Sequence, residues 1–409
     1  MAFHRQRISQ QSITAGTASA GAYQLVVLGA AHDPVWDQFV AAQPGGEHPQ
    51  ASFWARLYQL QGYHVLRLVV YQLQAQGPVI VGGLQLAVRP IGLGWGAAFA
   101  EQGPLLANDD PVVAHIVLWG LHWLARQQRL AYVVLMPPRQ HPRLVQLLTT
   151  SGYRSSWIGE AYVAAQRIDL RQPEAVLLKQ MRRTMRQSLR QGQRKGTTVR
   201  WGDTADLPLF YVLHCQTSRR QLFAPLPYAF FERLWLTLHP TGQLVLFVAE
   251  VAEQPVSAVL VLRHGDTARW LYAGWNGSQP KHYPNEVLYW HVLQWAQRHG
   301  LHWCDLEWVD RYAAQAYTSG QLHQAAQLHS PTFFKLSLGG QVVAYAGGYE
   351  YVYLPVLGVC HRWLVPRVLN PPALRRWLQH HARRAWRQFR LWRHTLVPVW
   401  AQGRRKEPR

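Results

Sequence analysis

The sequence predicts a mixed α/β (α+β) protein built from two related units, and three observations carry that expectation. The first is an internal repeat. Leu118–Leu135 (LWGLHWLARQQRLAYVVL) aligns without gaps to Tyr289–Leu306 (YWHVLQWAQRHGLHWCDL) at an offset of 171 residues, and self-similarity of this kind marks duplicated structural units. Trp119 matches Trp290, Ala125 matches Ala296, Leu130 matches Leu301 and Leu135 matches Leu306. The second is that both copies read alike, as an amphipathic helix, a short polar turn and a strand. The third is that paired strand-like runs precede each helix, Leu66–Tyr71 with Val79–Val88 and Leu244–Val251 with Val256–Arg263. Both halves are therefore β-β-α-β units, and each layer of strands needs a helix to cover it.

A chain of 409 residues suits two domains of this size. The expected boundaries are a disordered N-terminus at 1–22, a first unit at 23–160, a second at 161–355, and a basic, Trp-rich helical tail at 356–409. Hydrophobic residues make up 48% and charged residues only 15%, which supplies apolar material for real cores and excludes a generally disordered chain. The 42 Arg and Lys against 21 Asp and Glu give a formal net charge of +21. That balance points to a polyanionic partner, with a solubility charge on an Arg-biased sequence as the alternative.

The three cysteines lie far apart without CxxC spacing, so neither a disulfide framework nor a metal site is expected. The first twenty residues hold no apolar stretch and no run reaches about 18 apolar residues, so neither a secretory signal nor a spanning helix is expected. The expected location is the cytoplasm. GxSxG, HExxH, GxxxxGK[ST] and a strand-borne GxGxxG are all absent from the sequence, which sets aside several hydrolase and nucleotide-binding classes. Ile91–Gly96 (IGLGWG) is too loose for a phosphate loop and reads as a turn before a strand.

The positive charge is uneven. His361–Arg409 holds thirteen Arg or Lys and one acid, Glu407, while Trp363, Trp377, Trp386, Trp392 and Trp400 interleave with its arginines. Such a segment reads as a membrane-surface element, with nucleic-acid contact or docking on the body as alternatives. A second basic element is a helix over Glu174–Lys195. Leu178, Met181, Met185 and Leu189 form its apolar stripe, and Arg183, Arg186 and Arg190 lie on another face. With no acid between Val176 and Arg200, the cations repel rather than pair, and the face suits phosphate. A third signal is Lys335, one of five lysines against 37 arginines. It stands in SPTFFKLSLGG (Ser330–Gly340), where a compact ammonium is wanted; the alternative is a lysine snorkelling from a strand.

These residues, taken in order, resemble the FemABX family of aminoacyl-tRNA-dependent peptidyltransferases over about Tyr23–Pro355. The similar segments are Gly103-Pro104 after a strand, Arg167-Ile168-Asp169-Leu170, the basic helix ending in Arg194-Lys195-Gly196, and Arg220-Gln221-Leu222-Phe223. They continue with Trp270-Leu271-Tyr272-Ala273-Gly274, Trp303-Cys304-Asp305-Leu306, and Phe334-Lys335 followed by Gly339-Gly340. Leu222 stands where the family favours Gly, Leu338 replaces the usual Phe, and Leu306-Glu307-Trp308 replaces a Gly-containing segment.

The resemblance implies tandem GNAT-like (acyl-CoA N-acyltransferase-like) domains without a long coiled-coil arm. It implies transfer of an amino acid from aminoacyl-tRNA, the co-substrate in place of any cofactor, to the peptide stem of a lipid-linked or UDP-linked peptidoglycan precursor. Lys335 would then stabilise the oxyanion, Phe334 would wall the channel, and Asp305 and Tyr272 would orient the amine and relay protons. Arg220 and Tyr228 would hold the precursor's phosphate, and Arg183, Arg186 and Arg190 the tRNA. The resemblance does not reach the tail, whose composition alone suggests peripheral contact with an anionic membrane at its inner face. The rival expectation is a CoA-dependent N-acyltransferase acting on a polysaccharide or lipid-linked sugar.

Overall fold

The computed structural model describes residues 11–15, 23–108, 110–138, 142–156, 164–221, 223–321 and 331–354. The tail at 356–409, residues 1–10 and 16–22, and Leu222 lie outside them. Within the N-terminal stretch expected to be disordered, Gln11–Ala15 forms strand β1, antiparallel to the next strand, β2 (Tyr23–Leu28).

The first unit continues with β3 (His64–Gln74), β4 (Gly77–Gly92), β5 (Trp95–Glu101), β6 (Leu105–Leu106), β7 (Leu130–Met136) and β8 (Arg154–Ser156). Its helices are α1 (Pro34–Ala42), α2 (Ala55–Leu60), α3 (Pro111–Gln127) and α4 (Pro142–Thr150). The second unit holds β9 (Ala164–Asp169), β10 (Thr197–Gly202), β11 (Leu244–Val251), β12 (Gln254–His264), β13 (Thr267–Trp275), β14 (Trp303–Trp308), β15 (Gln341–Ala344) and β16 (Gly348–Val352). Its helices are α5 (Glu174–Gln180), α6 (Arg183–Arg194), α7 (Leu207–Gln221), α8 (Tyr228–Leu238), α9 (Pro284–Arg298), α10 (Arg311–Thr318) and α11 (Pro331–Ser337).

The repeat has a clear structural basis. In each copy an antiparallel hairpin and a third strand lead into a helix, and the strand after the helix pairs parallel with the third strand: β5 with β7 around α3, and β13 with β14 around α9. Both helices start with Pro at their first position, where its missing N–H costs nothing. Asp110 caps α3 by accepting from Val112 N at 2.8 Å. Three of the matched pairs play one role in both copies. Ala125 and Ala296 are fully buried, as are Leu135 and Leu306, and Leu130 and Leu301 are nearly so. The matched tryptophans do not, because Trp119 is 50% exposed whereas Trp290 is 4% exposed in the second core.

The second unit lends one strand, β16, to the first sheet. The first runs β1-β2-β3-β4-β5-β7-β16-β8, with β6 on β4, and the second runs β10-β11-β12-β13-β14-β9-β15. Thus β9, directly after the first unit, fills the second sheet, and β16, from the chain's far end, sits in the first between β7 and β8. A shared core joins them as well: Trp54, Leu57, Tyr58 and Val65 of the first unit pack with Phe210, Phe230, Phe231 and Leu234 of the second. No helix among the described residues is long and apolar enough to cross a membrane.

Candidate active site

The parallel pair β13 and β14 stops pairing early. Its register ends at Arg269 opposite Asp305, yet β13 continues to Trp275 and β14 to Trp308. The equivalent pair in the first unit stays paired from Gly96–Leu130 to Glu101–Met136, with one register shift after Gly96. Only the second unit therefore opens its central strands, and its charged residues gather where they part.

Asp305 is fully buried, with Oδ2 at 3.6 Å from Arg167 Nε and 3.4 Å from Arg269 Nη2. Its Oδ1 accepts the backbone N–H of Glu307 at 2.8 Å. Arg269 also donates to Glu307 Oε1 at 2.9 Å and to Glu47 of the first unit. Burial opposes the charge on Arg269, but Asp305, Glu47 and Glu307 outweigh it and hold the guanidinium well above its ordinary value. Arg167 lies over the Trp303 ring at 4.8 Å and donates to Thr267 Oγ1 at 3.1 Å. The walls are kept neutral. Burial and then the Arg269 charge push His264 down to about 4 and His48 well below its usual value.

Lys335 lies on helix α11, not on a strand. Its ammonium donates to the Trp308 carbonyl at 3.1 Å. Burial lowers its pKa, with Glu307 and Asp305 pulling the other way. Burial likewise raises the Glu307 carboxyl, opposed by Arg269 and Lys335. Burial thus moves the amine down and the carboxyl up, so the two shifts run towards each other.

Two glycines make this arrangement possible. Gly339 and Gly340 have φ of 82° and 85°, and a Cβ would stand 2.8 Å from Gln180 backbone in the first case and 2.3 Å from Arg167 O in the second. The backbone turn that follows Lys335 thus packs against the ends of α5 and β9 as only Gly permits.

The structure brings Lys335 and Asp305 to one place. Asp305 has no exposed side-chain surface, and its carboxylate meets the Glu307 backbone N–H and the two arginines. Glu307 keeps 18% side-chain exposure and is the carboxylate that can be reached. Phe334, partly buried, packs on Tyr289, ring centroids 5.1 Å apart, against the core below α9. Tyr272 lies beyond the divergence on β13, its ring edge-on to Phe231 at 5.1 Å and near His214.

Arg220 is exposed at the end of α7, donates to Thr217 Oγ1 and the Trp275 carbonyl, and lies over the Trp275 ring at 5.1 Å. Tyr228 packs on Tyr211 at 5.4 Å.

The basic helix is two helices. Met181 and Arg182 are extended, with ψ of 149° and 146°, because Met181 is buried and Arg182 N donates to Ser337 O at 3.0 Å. Arg186 then donates to the carbonyls of Leu178, Lys179 and Met181. It caps α5, while Arg183 and Arg190 stay exposed.

Sequence reasoning missed Glu307, Arg269 and Glu47 as site residues. The only signal was Leu306-Glu307-Trp308 in place of a Gly-containing segment. Glu307 has φ 63° in a bulge between Asp305 and Trp308 on the β9 side, a conformation for which Gly is the favoured residue.

Residues 179–317 match the model of the acetyltransferase (GNAT) domain family. The chain is 23% identical over 236 residues to the lipid II:glycine glycyltransferase of Staphylococcus saprophyticus, covering 55% of this chain and 56% of that enzyme; it thus spans about half the length of this curated relative. Its fold is similar to that of FemX, with a TM-score of 0.66 at 16% identity over 79% of this chain and 96% of the other. The chain thus folds like FemX. In this FemABX-like fold the match to the GNAT family falls on the unit whose central strands part. A tandem GNAT protein from the clavulanic acid pathway also aligns, at 12% identity and a TM-score of 0.47, over 81% of this chain and 98% of its own.

Proposed function

We propose that the protein transfers an amino acid from aminoacyl-tRNA to an amine on the peptide stem of a peptidoglycan precursor. The observation that carries this reading is the buried Lys335 ammonium, held on the Trp308 carbonyl and within the electrostatic influence of Glu307 and Asp305, where β13 and β14 part. The kinship to a glycyltransferase named for lipid II supports the acceptor class.

In this reading the acceptor nitrogen attacks the ester carbonyl carbon, a C–N bond forms, and the bond from that acyl carbon to the ribose oxygen breaks. Glu307, its carboxyl raised by burial, takes the proton that the nitrogen sheds and returns it to the departing ribose oxygen, with the Tyr272 hydroxyl as a relay on the diverging strand. Lys335 stabilises the tetrahedral oxyanion. Asp305 positions Glu307 through its backbone N–H. Arg220 and Tyr228 take the precursor's phosphate end, and Arg183 and Arg190 take tRNA phosphates, where guanidinium forks suit phosphate oxygens.

Loss of one preorganised electrostatic group typically costs about 10²–10³ in kcat. Lys335→Met should lower kcat by that factor with little change in Tm, and Lys335→Arg should not restore it, because a planar guanidinium does not replace a compact ammonium. Wild-type turnover by Lys335→Met would remove Lys335 from the chemistry.

A further inference from the structure

We propose that the tip of the β4–β5 hairpin and the pocket behind it form a contact site for an anionic phospholipid surface, separate from the acyl-transfer site and independent of that reading. Gly92 pairs with Trp95, so Leu93 and Gly94 are the two loop residues. Their φ values are 51° and 76°, the left-handed pair of a type I′ turn, where Asn-Gly or Asp-Gly is favoured. Leucine is a poor choice for that backbone, and this one is also 98% exposed, beside Ile91 at 47%. The position thus goes against both backbone preference and solvation, which marks an apolar contact made by the tip.

Behind the tip lies a pocket of about 440 Å³ lined by Trp95, Arg126, Arg129, Tyr351 and Tyr353 among others, none of them acidic. Arg129 lies over the Trp95 ring at 5.6 Å, and its carbonyl accepts Gly96 N at 3.0 Å, which ties the pocket to the hairpin. Apolar side chains at the tip with guanidinium groups one layer behind match the order of a membrane surface, acyl chains first and phosphates next. Arginine forks suit the headgroup phosphodiester.

The chain's own course adds a third argument. Tyr353 and Leu354 both donate to Ala131 O, at 2.8 and 3.1 Å, on the rim of this pocket. From there the sequence continues into the stretch with thirteen Arg or Lys between His361 and Arg409.

The test uses the full chain and sedimentation with vesicles of mixed phosphatidylglycerol and phosphatidylcholine, against phosphatidylcholine alone. Leu93→Asn removes the apolar tip while suiting the turn, so binding should weaken about tenfold through lost apolar burial with Tm unchanged or raised. Arg126→Gln with Arg129→Gln should weaken it by about 25-fold, fivefold per cation near an anionic surface. Neither change should alter the weaker binding to phosphatidylcholine by as much. Either variant binding the anionic vesicles as the wild type does overturns the proposal. Loss confined to the arginine variant, together with saturable wild-type binding of inorganic phosphate, would assign the pocket to a soluble phosphate instead.

Discussion

Glu307 holds a left-handed backbone conformation, paired with Arg269 and under the electrostatic influence of Lys335 and the buried Asp305. A non-glycine residue there costs of order 1 kcal/mol or more, and such strain persists where the surroundings dictate it. Here the Asp305 carboxylate dictates it by gripping the Glu307 N–H. The consequence is measurable through protons. Above the ordinary glutamate value of 4.5 an unfolded chain loses this proton, while the folded protein keeps it to higher pH because burial raises the group. The folded state then binds more protons, so stability falls as pH rises through that window. Glutamine does not titrate. The Tm advantage of the wild type over Glu307→Gln should therefore shrink from about pH 4.5 towards neutrality; a difference that is flat with pH would contradict the assignment. At this scale the sequence was only partly legible. Lys335 stood out because lysine is scarce and its neighbours carry a family resemblance. Glu47 left no trace, since its partner Arg269 is 222 residues away and only the fold brings them together.

Among the elements, the repeat was readable because it is written in local periodicity. An amphipathic helix followed by a strand shows its pattern within one window, and both copies formed where the pattern placed them. The parting of β13 and β14 was not readable, since it depends on which strand pairs with which and on a bulge opposite β9. The split of the basic helix was hidden for a similar reason. Periodicity runs through Met181 and Arg182, but contact with α11 breaks the helix there. The split also changes what the arginines can do. Arg186 is committed to α5 carbonyls, whereas Arg183 and Arg190 face solvent. Replacing those two with Gln should reduce the slope of log affinity against log salt for tRNA by about 1.4–1.8, at roughly 0.7–0.9 per lost phosphate contact. Arg186→Gln should lower Tm and leave that slope near the wild-type value. An unchanged slope in the double variant would place tRNA on another surface.

For the whole molecule, the lent strand β16 and a shared core make the two units one folded body. That body brings Glu47 of the first unit to Arg269 of the second, so the site is completed across the junction. The net charge of +21 would suit the two polyanionic substrates of the proposed reaction, the tRNA backbone and the precursor's diphosphate. The most direct test of acyl transfer is to follow a labelled amino acid from charged tRNA in the presence of purified full-length protein. Label should move into an amide on the peptide stem of a lipid-linked or UDP-linked precursor, only when both substrates are present. Transfer from acetyl-CoA to an amino sugar, with none from charged tRNA to the precursor, would contradict the account.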